Sequence, residues 1–158
     1  MPQTNKIAPF VLTVIIGVAL QILFIFPDIK DTPSKAAIEF TEAFFKADQK
    51  TMMERMCGES TTINGIDVID RYIHTKNREA SDLGYGMFYM KNSVTDLRTH
   101  IISRDDSSVE LRLTGNAKPV LKSFFTGEDA KPIDEIIRVI NDNGKWKVCG
   151  NVFSIAGL

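Results

Sequence analysis

Between Ile7 and Phe26 the chain reads IAPFVLTVIIGVALQILFIF, a block without a charge whose clearly polar side chains are Thr13 and Gln21. As a helix it would extend ~30 Å at ~1.5 Å per residue, the thickness of a bilayer's hydrocarbon core. A secretory signal peptide has a shorter apolar run, and cleavage after Gly17-Val18-Ala19 would leave a chain beginning on LQILFIF. A buried core helix keeps a polar face, which this block lacks. The expectation is an uncleaved single-pass transmembrane helix over residues 7–26, with Pro9 near its entry, where a missing amide donor is cheap. Gly17 and Gln21 share a helical face, so a small and a polar side chain there mark a surface for lateral packing against other spans.

Flanking charge sets the expected orientation. Lys6 and the amino group precede the block and Asp28, Lys30 and Asp31 follow it, so residues 1–6 are expected in the cytoplasm and the rest outside it, in a periplasm where there is one. Residues 27–33 are expected to be a linker reaching at most ~23 Å at ~3.3 Å per residue, which keeps the outer domain near the membrane. Over the whole chain of 158 residues, a formal charge of -1 with 44% hydrophobic and 25% charged residues suits one ordinary domain. It gives no electrostatic case for a nucleic-acid partner.

After the linker the period is first helical and then alternating. Thr32-Pro33 supplies an N-cap and a first helical proline, and Ala37, Phe40, Phe44 and Ala47 recur on one face. Asp48 is placed to cap a second helix with Met52, Met53 and Met56 on its apolar side and Gly58 as its stop; Asn64-Gly65 opens a third carrying Ile66, Ile69 and Ile73. Beyond Gly84, residues 85–103 are rich in aromatic and β-branched side chains. Val109, Leu111, Leu113, Gly115 and Ala117 then alternate with polar neighbours as in a strand with one buried face. Asp105 to Ser108 makes the intervening turn, Ile133 to Ile140 another strand, and Asn143-Gly144 suits a type I′ hairpin leading into a strand over Lys145 to Phe153. The expected fold class is α+β: about three helices on an antiparallel sheet over residues 34–153, with 154–158 as a tail.

The Phe40/Phe44 helix, the break at Ala47-Asp48 and the closing Asn143-Gly144-Lys145-Trp146-Lys147-Val148 together resemble the nuclear transport factor 2-like, or cystatin-like, superfamily. The resemblance implies a curved sheet wrapped around a helix as a cone, whose mouth holds a ligand or is closed by packing. The superfamily includes isomerases and dehydratases as well as binding and assembly modules, so fold alone does not choose among them.

Residue chemistry narrows the choice little. Trp146 falls on the inward parity with Val148, as a core anchor, and Cys149 on the outward parity with Lys147. That parity opposes pairing with a cysteine at a helix end, so Cys57 and Cys149 are expected as two separate thiols, largely buried; outside the cytoplasm a disulfide between them is the alternative. Met52, Met53, Met56 and Cys57 form a soft-donor cluster that suits Cu(I), but the same spacing is the apolar side of a helix; no cofactor is expected. Asp67, Tyr72, Asp96 and His100 are available in type as acids and bases, yet no spacing joins them, and His74 and His100 have no companion at ligand spacing. Tyr85, Met87, Phe88, Tyr89 and Met90 form an uncharged aromatic and methionine run that would serve as a contact surface or pocket lip, or else lie in a strand buried on both faces.

The expected function is a non-enzymatic single-pass membrane protein, an accessory or assembly subunit docking through its extracytoplasmic domain on other subunits of a complex or on itself. Its layout is similar to the small bitopic subunits of type IV secretion channels. The alternative is a membrane-tethered small-molecule binder or enzyme using the cone. It requires an open, partly apolar cavity with at least two convergent polar groups, and an interior not filled by Phe40, Phe44 and Trp146.

Overall fold

The computed structural model describes residues 11–21, 30–63, 65–121, 123, 127 and 129–157. The chain divides into two units, Met1–Asp31 and Thr32–Leu158. In the first, residues 11–21 are helical (α1). Val11, Leu12, Val14, Ile15, Ile16, Val18 and Leu20 are all exposed, and at 3.6 residues per turn they point to every side of the helix. Among the described residues no helix is long and apolar enough to cross a membrane. The expected span's ends, residues 7–10 and 22–26, lie outside the described residues.

The second unit packs helices on an antiparallel sheet. α2 (Pro33–Lys46) begins as the sequence indicates: Thr32 Oγ1 accepts from the Lys35 amide at 3.1 Å and Pro33 occupies the first turn. Its inward face pairs bulky Phe40 and Phe44 with small Ala36, Ala37 and Ala43, which bring the helix backbone close to the sheet. Ala47 closes the helix at φ 53, its amide donating to the carbonyls of Ala43 and Phe44. The turn into α3 (Gln49–Arg55) is held by Asp48, whose carboxylate accepts from Thr51 N at 3.3 Å and Thr51 Oγ1 at 2.8 Å.

Several boundaries differ from expectation. Met53 is half exposed, whereas Met52 and Met56 are buried. Gly58 starts a short helix, α4 (Gly58–Thr61), instead of stopping one, because Met56 and Cys57 have already left α3 in extended conformation. Ile66 belongs to a minimal hairpin of β1 (Thr62–Ile63) and β2 (Ile66–Asp67), and is exposed. The Asp67 carboxylate then accepts from the amides of Ile69 and Asp70, so α5 (Val68–Asp82) starts there and buries Val68, Ile69, Tyr72 and Ala80.

The main sheet has the order β3-β4-β5-β6, with β3 Asn92–Arg104, β4 Ser108–Pro119, β5 Lys131–Asp142 and β6 Lys145–Cys149. Val109, Leu111, Leu113, Ile137, Val139 and Val148 face the helices and are fully buried, each side chain worth ~1.5–3 kcal/mol of transfer free energy. The type I′ signal holds: Asn143 has φ 53 and Gly144 φ 85. β3 carries a bulge absent from the sequence reading, with Asp96 at φ 57 and a register shift between Thr95 and Arg98. Gly115 lies opposite, where a Cβ would stand 2.6 Å from Leu97 Cδ2 and 3.1 Å from the Thr95 carbonyl.

β6 ends at Cys149, not at Phe153. Gly150 turns the chain at φ 98, and residues 152–157 form a kinked 3-10 segment with Phe153 and Ser154 both near φ 55. The expected tail is structural, since Ile155 is fully buried.

Candidate functional site

A cavity of ≈ 440 Å³ opens at the end of the sheet where β3 and β5 begin and β4 finishes. Phe45, from the last turn of α2, and Phe153 form one wall, their ring centroids 5.4 Å apart at 66°. Phe153 also stacks on Phe44 at 4.8 Å, and Phe44 on Tyr72 at 4.5 Å, so the wall is anchored in the core. Two consecutive left-handed residues other than glycine carry Phe153 into that position, a conformation costing ~1–2 kcal/mol each and kept only where surrounding packing dictates it. Here Ile155 and Val152, both buried, hold the kink on either side.

Ala117 and Ile133 form the apolar floor. The polar lining holds Asn92, Lys131, Asp134 and Glu135, and Lys131 has a partner of its own. The Asp134 carboxylate is already engaged, accepting from Arg112 Nε at 2.6 Å; that hydrogen bond and the guanidinium charge hold it below the usual carboxylate range. Glu135 is different. It shares the inward parity of Ile133 and Ile137, pairs in register with Leu113, is half buried, and has no hydrogen-bond or ion-pair partner among the described residues. The Asn92 side-chain amide likewise has no side-chain hydrogen bond among the described residues. A half-buried carboxylate without a partner suits a site that a cationic or donor group completes.

Phe45, Asn92, Glu135 and Phe153 were not singled out from the sequence. One signal was legible: in Ile133, Glu135, Ile137, Val139 a charge interrupts the apolar parity of a strand. Phe40, Phe44 and Trp146 all lie in the core and fill the interior, so the cone-pocket alternative fails the condition set for it; the cavity is a different space, at the end of the sheet.

The residues considered for acid–base work are dispersed. Asp67 caps α5. The Tyr72 hydroxyl donates to the Phe44 carbonyl at 2.9 Å; burial, and then the Glu79 charge, push its pKa well above the ordinary phenol value, so it acts as a structural donor. Asp96 sits exposed in the β3 bulge, His100 is exposed opposite Arg112, and His74 lies 3.7 Å from Asp70 on the surface of α5. Among the described residues no group of His, Cys, Asp and Glu is placed to hold a metal ion. Of the soft-donor set, Met52 and Met56 are core, Met53 points out, and Cys57 is bonded.

The cysteines overturn the expectation of separate thiols: Cys57 and Cys149 form a disulfide across a Cα–Cα distance of 5.3 Å. The parity of Cys149 is as expected, outward beside Arg138. What differs is Cys57. Met56 and Cys57 run extended along the free edge of β6, with a parallel bridge between Met56 and Val148 and the Cys57 amide on the Val148 carbonyl at 2.9 Å. Met56 and Val148 thus share the buried side, and the next residue of each segment, Cys57 and Cys149, shares the other. Arg55, nearly buried, secures the same edge through Glu39 at 2.6 Å and the Trp146 carbonyl at 3.2 Å.

The aromatic run is neither a strand nor buried on both faces. Met87–Met90 is a 3-10 turn, Tyr85 and Phe88 are exposed, Tyr85 stacks on Tyr89 at 4.1 Å, and Lys91 Nζ lies 5.9 Å from the Phe88 ring centroid. In α1, Gly17 and Gln21 are both exposed, with open space where a Gly17 Cβ would stand.

No family model and no curated protein matches the sequence. A solved structure from Campylobacter jejuni, described provisionally as an NTF2-like transpeptidase, is similar with a TM-score of 0.46 and 15% identity, over 76% of this chain and 99% of that one.

Proposed function

We propose that the chain is a single-pass membrane protein whose nuclear transport factor 2-like domain lies outside the cytoplasm and serves a membrane complex as a non-enzymatic accessory subunit. The observation that carries this reading is the surface of α1: uncharged, with exposed apolar side chains on every side, which favours a lipid environment or burial between helices over water. The Cys57–Cys149 disulfide adds a compartment argument, since such bonds persist in oxidising surroundings. The exposed Tyr85 and Phe88 supply an apolar, amphipathic contact area for a partner subunit. Fractionation combined with thiol labelling in cells is the direct test. The protein should resist alkaline extraction from membranes and show no alkylatable thiol before reduction; a fully extractable protein with two free thiols would sink the proposal.

The cavity at the end of the sheet, and not the filled cone interior, favours a second reading, a small-molecule binder tethered to the membrane. It has the size range of ligand sites, and the polar side chains of Asn92 and Glu135 are among its lining residues. Ligand screening on the full chain in a neutral detergent tests it, and a cavity that takes up no compound of any charge would remove it.

A further inference from the structure

The geometry points to an organic ammonium as the ligand of this cavity, the cation lying between the Glu135 carboxylate and the rings of Phe45 and Phe153. This inference rests on the small-molecule reading of the cavity and specifies its ligand class. The carboxylate comes first. Glu135 lies on the buried side of β5, half withdrawn from water and with no partner among the described residues, so a group that brings positive charge can pair with it, while Lys131, also in the lining, has a partner of its own. Asp134, next in the chain, does not compete, because Arg112 occupies it.

The rings then select the kind of cation. A hydrated metal ion needs several oxygen ligands, and Glu135 and Asn92 supply too few. An alkylammonium spreads its charge over methyl or methylene groups that pack against aromatic faces, each contact worth ~0.5–2 kcal/mol as it is desolvated. Phe45 and Phe153 stand at 66° to one another, so their wall turns a corner about the cavity and is not a flat plate. The kink at Phe153 and Ser154 carries the second ring to that corner at a conformational cost, the kind of strain that accumulates at binding sites. Ala117 and Ile133 beneath leave an apolar floor for the remainder of the ligand, and the Asn92 amide can accept from or donate to a polar tail.

The test uses the full chain in a maltoside detergent, titrated with choline and with its uncharged carbon isostere dimethylbutanol, with binding followed by calorimetry and by NMR shifts of the cavity residues. Choline should bind, the isostere should bind about ten- to a hundredfold more weakly, and Glu135→Gln should remove most of that difference, as expected for losing a charge-assisted contact. Equal binding of both probes would overturn the ammonium assignment while leaving an apolar ligand site. Binding of neither up to millimolar concentrations would overturn the assignment and the small-molecule reading together. The comparison of the two probes on the unaltered chain decides the matter even if Glu135→Gln fails to fold.

Discussion

Replacing both cysteines, C57A with C149A, should lower stability by ~2–4 kcal/mol without unfolding the domain. The bond joins residues separated by 92 positions, and the chain-entropy relation assigns a loop of that length about 4.6 kcal/mol at room temperature as its upper limit. The native segment keeps other ties once the sulfurs are gone. The Cys57 amide still reaches the Val148 carbonyl at 2.9 Å, Ser60 Oγ still accepts from the Gly150 amide at 2.8 Å, and Met56 stays in the core. The loss therefore falls on the unfolded chain, which gains freedom, more than on the folded contacts. Urea unfolding of the full chain can be followed through Trp146, the sole tryptophan and a core residue. With a slope of ~1.5 kcal/mol per molar, a loss of ~3 kcal/mol moves the midpoint down by ~2 M. Dithiothreitol should move the unaltered protein by a similar amount and leave the double variant unmoved. Identical midpoints with and without reductant, together with alkylation of both thiols before reduction, would refute the pairing.

Other perturbations probe the contacts that shape the site. Arg55→Met should cost roughly 2–3 kcal/mol by urea titration, less than the ~3–5 for breaking a fully buried pair, because the Glu39 carboxylate left behind remains partly in water. A loss below ~0.5 kcal/mol would mean that the Arg55 tie between α2, α3 and β6 is not formed in solution. Gly115→Ala should cost ~1–3 kcal/mol and disturb the β3 bulge, since the new methyl meets Leu97 and the Thr95 carbonyl; unchanged amide shifts at Thr95 to Arg98 would contradict that packing. Asp48 has its pKa lowered chiefly by the Thr51 hydroxyl, so its contribution is present above the unfolded carboxylate value and is lost as pH falls through the lower folded value. Asp48→Ala should cost ~1 kcal/mol near neutrality and flatten this part of the acid limb; an unaltered acid limb in the variant would count against the cap.

How far the chain's own letters carry depends on whether a feature is local. Thr32-Pro33, Asp48 and Asn143-Gly144 act through their immediate backbone, and each is found in its expected role. The alternation in β4 was legible for the same reason, because one buried face imposes its period directly. Cys57 was not, since its side is set by Met56 pairing with Val148, a contact across the fold that no local pattern encodes. The β3 bulge and the kink at Phe153 were likewise hidden: Phe153 and Ser154 adopt left-handed backbone that their residue types do not advertise, and Asp96, a residue type that tolerates it, does so opposite Gly115, a pairing across strands that no local pattern encodes. Glu135 lies between these cases. Its place on the apolar parity of β5 was visible in the sequence, but a charge at such a position has two physical outcomes, an ion pair or an open site. Arg112 lies with Asp134 on the outward face and pairs there, whereas Glu135, on the inward face, has no partner among the described residues and stands with Phe45 and Phe153 at one end of the sheet, so only the fold, by setting which groups reach the inward face, chooses the second outcome.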